Sequence, residues 1–192
     1  MIKTENFLKV EVNSAEELRG WLLEHHQQEE SIWLVTYKKV KPHKYVSTSE
    51  VLDELLCFGW IDGIRRKLDA ERTMQLIGPR RQQHWAKTYK DRAAKLIEEG
   101  KMEPAGYQSI EASKENGLWN FMDDVDALIK PDDLREALEA HPPALENFDH
   151  FSASVQRFTL RWIKLAKTAP TRTKRIEKTA KLAQKNEKIP GV

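Results

Sequence analysis

Apolar residues follow two kinds of pattern along this chain, and the change from one to the other divides it. Residues 5–12 (Glu-Asn-Phe-Leu-Lys-Val-Glu-Val) partly alternate, as an edge strand would. Ser14 with Glu17 makes a capping box, and Leu18, Trp21, Leu22 and His25 follow at helical spacing, which predicts a helix over 15–28. Residues 32–37 are β-branched and aromatic and predict a buried strand. A basic loop, 38–44 with Pro42, leads to a second capping box, Ser47 and Glu50. That box opens a helix carrying Val51, Leu52, Leu55, Leu56 and Cys57 on its apolar side, and Gly59 can end it in a left-handed conformation. Two strands, 60–67 and 72–77, are expected next around a turn at 68–71, with Gly78-Pro79 stopping the second. Helical patterns resume over 83–99, closed by Gly100, and over 104–116, closed by Gly117.

From Leu118 on there is no strand pattern. Residues 123–129, 131–139, 152–167 and 170–185 read as helices, with Pro131 and Pro170 in first turns and His141-Pro142-Pro143 as a break. The expected class is α+β: an N-terminal unit, 1–118, of a small and mostly antiparallel sheet with helices, packed against an all-helical unit, 119–192. In the helix at 152–167, Val155, Phe158, Trp162 and Leu165 form one apolar stripe, expected to face the core, with Arg157, Arg161 and Lys164 beside it. In the next helix Ile176, Ala180 and Ala183 face one way, and Lys174, Lys178, Lys181 and Lys185 form a basic row.

Composition narrows the picture. The 192 residues, 40% of them apolar, suffice for one ordinary domain or two small ones with a packed core. No apolar run approaches the ~20 residues that cross a bilayer. Residues 1–12 lack the apolar stretch and small-residue cleavage site of a signal peptide, so the sequence reads as a soluble, cytoplasmic protein. A single cysteine, Cys57, excludes an intrachain disulfide and any multi-thiolate metal cluster.

The formal charge of +2 hides an asymmetry. Residues 155–192 hold eleven Lys/Arg against two acids, whereas 120–150 hold nine acids against Lys130 and Arg135. The basic surface, with Arg172, Lys174, Arg175, Lys178, Lys181 and Lys185, can attract phosphate or anionic lipid, or be neutralised by the acidic stretch beside it. It lacks base-stacking aromatics, so any nucleic-acid binding there would be non-specific.

The densest special sequence is Gly59-Trp60-Ile61-Asp62-Gly63-Ile64-Arg65-Arg66. Strand alternation puts Trp60, Asp62 and Ile64 on one face, so Asp62 points to a mostly apolar side and needs a partner. Arg80 and Arg81 are the natural candidates. Such an ion pair would lock the hairpin, or form a pocket for a small anionic ligand, or leave Asp62 as a general base. Gly78-Pro79-Arg80-Arg81 with His84 and Trp85 sets two guanidinium groups near an expected helix start, where carboxylate or phosphate can bind. Cys57, at the end of an apolar helix, suits an inert core position better than a nucleophile. His25-His26 diverge on a helix, and His43, His84, His141 and His150 are scattered without metal-ligand spacing. No phosphate loop, nucleophile elbow or dinucleotide fingerprint is present, so no cofactor is expected.

The run 55–63 (Leu-Leu-Cys-Phe-Gly-Trp-Ile-Asp-Gly), Pro79-Arg80-Arg81, residues 100–106 and Gly117-Leu118-Trp119 together resemble the YdeI/OmpD-associated family, also called bacteriocin-protection proteins. Pro131-Asp132-Asp133-Leu134 to Ala137-Leu138 fits the same pattern. So do Phe151-Ser152, Arg157, Trp162-Ile163, Ala166-Lys167 and residues 171–177. The likeness covers roughly 50–185. Where the family tends to carry a Ser-x-Trp-Ser segment, this chain has Gln82-Gln83-His84-Trp85-Ala86-Lys87. The resemblance implies bacterial stress protection against bacteriocins or cationic peptides and association with an outer-membrane porin, and implies no reaction. The resulting expectation is a non-catalytic protein with an anion-accepting cleft at Trp60, Asp62, Arg65, Arg80, Arg81 and Trp85. Its rivals are a nucleic-acid or acidic-surface binder using the basic helices, and an enzyme using Asp62 or Cys57 on a small polar substrate.

Overall fold

A computed structural model describes residues 6–190. The chain divides into two compact units, Met1–Asn120 and Phe121–Val192. The first contains β1 (Lys9–Glu11), α1 (Ala15–His25), β2 (Ile32–Tyr37), α2 (Thr48–Cys57), β3 (Trp60–Lys67), β4 (Arg72–Pro79), α3 (Lys87–Glu98) and α4 (Pro104–Glu115). Its sheet has the order β1-β2-β4-β3, with β1 parallel to β2 and the other pairs antiparallel. The second unit is helical among its described residues: α5 (Asp123–Asp126), α6 (Asp132–Glu139), α7 (Ala144–His150), α8 (Ala153–Lys164) and α9 (Ala169–Gln184). Among the described residues no helix is long and apolar enough to cross a membrane.

Local signals set most element ends. Ser14 accepts from the Glu17 amide, and Ser47 and Glu50 complete a reciprocal capping box at the start of α2. Gly59 takes φ +69°, which lets the chain turn from α2 straight into β3. The core of the first unit joins Leu34 and Ile77 of the sheet to Leu18 and Leu22 of α1, Val51 and Leu55 of α2, and Leu96 of α3. The core of the second gathers Leu134, Leu138, Phe148, Leu160, Ile163 and Ala180.

Five expectations change in the structure. The first strand is shorter, Lys9–Glu11, and Glu5 of the expected stretch lies outside the described residues. Gly78-Pro79 does not stop β4: Gly78 pairs with Ile61 and Pro79 with Trp60, the proline standing at the strand's end. The helix expected over 83–99 begins only at Lys87, so Arg80 and Arg81 lie in the irregular segment before it, Arg81 in a bend, rather than at a helix N-terminus. The stripe on α8 is also rotated. Its buried side is Val155, Gln156, Thr159, Leu160 and Ile163, whereas Phe158 and Leu165 are 38% and 40% exposed. Gln156 and Thr159 can be buried because each satisfies itself locally, Gln156 on the Phe151 carbonyl at 2.8 Å and Thr159 on the Val155 carbonyl at 3.0 Å. Helix α7 arises where the sequence pattern showed only a break.

A close backbone approach docks α4 onto the end of α2. A Cβ at Gly106 would stand 2.4 Å from the Cys57 carbonyl and 2.9 Å from that of Leu56. Glu103 donates its amide to the Cys57 carbonyl at 3.1 Å, and Arg19 of α1 bridges Glu54 and Glu103 while donating to the Lys101 carbonyl at 3.0 Å. Because backbone atoms cannot yield as a flexible side chain does, Gly106→Ala is expected to destabilise the first unit by about 1–3 kcal/mol. Thermal unfolding of the variant, against a Gly100→Ala control at a position with open space around it but a left-handed φ, would check this. Equal or smaller loss at Gly106 would contradict the close packing.

Candidate functional site

Six side chains of the first unit were expected to converge, and the structure sorts them into three groups. A register shift in the β3–β4 ladder decides which. Asp62 pairs with Ile77 and Arg65 with Gln75, so three steps along β3 match two along β4. This bulge carries Arg65, rather than Ile64, onto the face that holds Asp62 and Gln75, and Ile64 is left 51% exposed. The simple alternation of Trp60, Asp62 and Ile64 is therefore corrected.

Asp62 meets no guanidinium directly. Its Oδ1 accepts from the Tyr89 hydroxyl at 2.8 Å, and its Oδ2 from Gln75 Nε2 at 3.1 Å. Gln75 Oε1 in turn accepts from Arg65 at 2.6 Å. Two neutral donors satisfy the carboxylate, and Arg65 reaches it through an amide relay. The ion pair with Arg80 or Arg81 expected from sequence is not formed. Neither Gln75 nor Tyr89 was singled out in the sequence. Gln75 becomes legible once the bulge fixes the register, and Tyr89 only once α3 is docked.

Arg80 lies against aromatic rings instead. Its guanidinium carbon is 4.2 Å from the centre of the Trp85 ring and 5.3 Å from that of Tyr89. Backbone contacts hold this corner: the Arg80 amide donates to the Gly59 carbonyl at 2.9 Å, and the Trp85 amide to the Leu118 carbonyl at 3.1 Å. Trp119 packs beside Trp85, its ring centre 4.9 Å away and its plane tilted by 46°. Ring faces attract a cation, yet they take up no N–H with the strength of an oxygen acceptor. One Arg80 terminal nitrogen reaches the Gln83 carbonyl at a long 3.4 Å. The Arg80 Nε and the Trp85 indole N–H are both buried without a hydrogen-bond partner. Burial brings the Arg80 guanidinium down to about 10, with the charges of Tyr89 and Asp62 acting the other way. It keeps its proton at neutral pH.

The other two groups separate from this corner. Trp60 is fully buried and donates its indole N–H to the His26 carbonyl at 3.0 Å, edge-on to Trp21. Arg81 is exposed and turns to Glu29, donating to its carbonyl at 2.9 Å. A cleft of about 530 Å³ lies elsewhere in this unit, between α2 and α3, and its charges are already paired: Arg92 with Asp53 at 2.6 Å, and Glu99 with Lys101 at 2.8 Å. It presents no unmet polar side chain comparable to Arg80.

In the second unit the basic surface is partly occupied. Arg172 makes two bonds to Asp133 at 2.7 and 2.8 Å, and Arg175 lies over Trp162, donating to that residue's carbonyl. Lys178 lies 6.0 Å from the same ring, while Lys174, Lys181 and Lys185 are exposed. Three carboxylates of the acidic stretch pair inside this unit, Asp124 with Lys164, Asp133 with Arg172 and Asp149 with Lys130. Among the described residues no group of three His, Cys, Asp or Glu side chains is arranged to hold a metal ion.

With this geometry in view, comparison with known proteins places the chain. Residues 10–109 match the family model described as a domain of unknown function, DUF8412, more than half of the 192 residues. The chain belongs to that family. Residues 127–186 match a second model, described as bacteriocin-protection, YdeI or OmpD-associated. The motifs at 55–63, 79–81 and 100–106, including Arg80, thus fall in the DUF8412 part, and those from Pro131 on in the YdeI/OmpD-associated part. No curated protein and no solved structure matches the chain.

Cys57, the last residue of α2, is fully buried. Burial and the charge of Glu54 push its thiol up to about 11, against the pull of Arg19. At pH 8 only about one thiol in a thousand is then ionised, some hundreds of times fewer than for a free cysteine. Native protein is expected to react with a disulfide reagent at least about 100-fold more slowly than urea-unfolded protein. Rapid, stoichiometric labelling of the native chain would contradict this placement.

Proposed function

We propose that the protein is a non-catalytic bacterial protection protein of the YdeI/OmpD-associated kind, whose DUF8412 unit accepts a small oxyanion beside Arg80. The bacteriocin-protection part of this reading rests on the match over 127–186. The anion site rests on one observation: a largely buried guanidinium stacked on Trp85 and Tyr89, whose Nε has no acceptor and which pairs with no carboxylate. An oxyanion there would take up the unmet N–H of Arg80 and relieve the burial of its charge. The neighbouring Trp85 indole N–H, also without an acceptor, offers a second donor. Asp62, held by Gln75 and Tyr89, fixes the Tyr89 ring beneath the guanidinium and contributes no proton transfer. Arg65 supports Gln75. Neither Arg81 nor Trp60 belongs to the site in this reading.

Sulfate and acetate are suitable probes, because their charges do not change between pH 6 and 8. Trp85 and Trp119 stand close enough to Arg80 to report binding by tryptophan fluorescence. The wild type is expected to give a saturable change with at least one probe, flat across that pH range. Arg80→Met should abolish it and shift stability by no more than about 1 kcal/mol, since the lost ring contact and the relieved desolvation offset each other. Arg81→Met should leave it intact. An unchanged response in Arg80→Met, or none in the wild type with either probe, would overturn the anion site.

A further inference from the structure

A second cationic surface stands at the opposite end of the β3–β4 hairpin from Arg80, built by the loop after β2 and the far ends of β2, β3 and β4. Register makes it continuous. Tyr37 pairs with Arg72, Thr36 with Thr73, and Thr73 with Lys67, while Met74 joins Val35 to Arg66. The loop returns to this end through a bridge between Tyr37 and Tyr45, and through the Lys38 amide, which donates to the Glu71 carbonyl at 2.8 Å.

Charge accumulates here beyond what local pairing neutralises. Lys41 pairs with Glu71 at 3.0 Å, and Arg72 takes both Glu11 and Asp69, at 2.6 and 2.7 Å. Lys38 spends its ammonium on the backbone carbonyls of Asp69 and Ala70 at 2.7 and 2.9 Å, so its charge meets no carboxylate. Lys39, Lys44, Arg66 and Lys67 are all exposed, and none forms an ion pair among the described residues. Three of these four rest over rings: Lys39 on Tyr45, Lys44 on Tyr37 and Arg66 on Trp33, at 5.8, 5.1 and 5.3 Å. Those contacts fix where the cations stand without discharging them. In all, seven Lys/Arg face three carboxylates.

From β3 across β4 to β2 is about 10 Å, a length along which a duplex carries about six charges. We infer that this sheet end binds the phosphate backbone of nucleic acid, without reading sequence. The rings at the surface are covered by cations, so no base-stacking platform is offered. Ammonium groups dominate, and they suit a diffuse line of phosphates better than the bidentate grip of a single carboxylate. Val40 and Ile64 are exposed there, 66% and 51%, but as isolated side chains rather than the continuous apolar face that settles into a membrane.

The test measures anisotropy of a fluorescent 20-base-pair DNA duplex with the full chain over a salt series. Binding should weaken with a log–log slope of about −4, as expected for four or five neutralised phosphates. The quadruple change Lys39→Gln, Lys44→Gln, Arg66→Gln, Lys67→Gln should lower affinity at least tenfold at low salt and flatten the slope by about 3. Should that variant fail to fold, the triple lysine change without Arg66 carries the test, with a slope flattened by about 2–3. Changing Lys174, Lys178, Lys181 and Lys185 to Gln should leave the slope within about one of the wild type. Absence of duplex binding would overturn the inference. So would loss only in the α9 variant, or stronger binding to vesicles containing phosphatidylglycerol or to poly-glutamate than to DNA.

Discussion

The polar centre of the N-terminal unit depends on how one carboxylate is satisfied. Asp62 stands on the helix-covered side of the sheet, where an ionised group needs partners, and it finds them in Gln75 and Tyr89. Both are neutral donors. No guanidinium is consumed in holding the acid, so Arg80 is free to stack on Trp85 and Tyr89, and Tyr89 serves both groups, its hydroxyl on the acid and its ring beside the cation. Had Arg80 closed on Asp62, the pair would have neutralised itself and left nothing for a ligand. Separating the two by one ring converts a structural ion pair into a positive site with unmet donors.

Much of the fold was legible from local chemistry. The Ser14 cap, the capping box at Ser47, the β-branched run at 32–37, the left-handed Gly59 and the absence of strand pattern after Leu118 all act over a few residues, and each marks an element that the structure contains, although Glu17 turns to Asn13 and leaves the box expected at Ser14 half formed. What sequence did not reveal depends on contacts between distant positions. The bulge between Asp62 and Arg65 is set by the partner strand, and a single inserted residue exchanges Ile64 for Arg65 on the inner face. The rotation of α8 follows from Gln156 and Thr159 finding backbone acceptors of their own, which a hydrophobicity pattern counts as polar and assigns outward.

The candidate site was legible to a similar depth. Asp62, Arg80 and Trp85 could be chosen by residue type and by their closeness to the hairpin, and they do gather in one corner. Their wiring could not be chosen, because Gln75 and Tyr89 are ordinary residues until the register and the docking of α3 place them. Arg81 and Trp60 show the converse: each has the right chemistry and lies one or two positions from Arg80 or Asp62, yet one turns to Glu29 and the other to the His26 carbonyl.

Both units pair charges and also lay cations over rings, Arg175 over Trp162 in the second and Arg80 over Trp85 in the first. In the helical unit the acidic stretch supplies Asp124 and Asp133 to the cations of α8 and α9, so a steep sequence asymmetry becomes partly internal pairing. In the sheet unit, positive groups are held on aromatic faces, at Trp85 and Tyr89 and again at Tyr37 and Tyr45. A ring keeps a cation in place while leaving its charge available. The state of Arg80 is the most direct measure of this account, and the arginine Nε–H signals in a proton–nitrogen NMR spectrum read it out. Stacking on Trp85 predicts an Arg80 signal displaced upfield by the ring and shifting saturably as sulfate is added, while that of Arg65 stays put. An Arg80 signal at the position of a solvent-exposed arginine, unmoved by the anion, would contradict it.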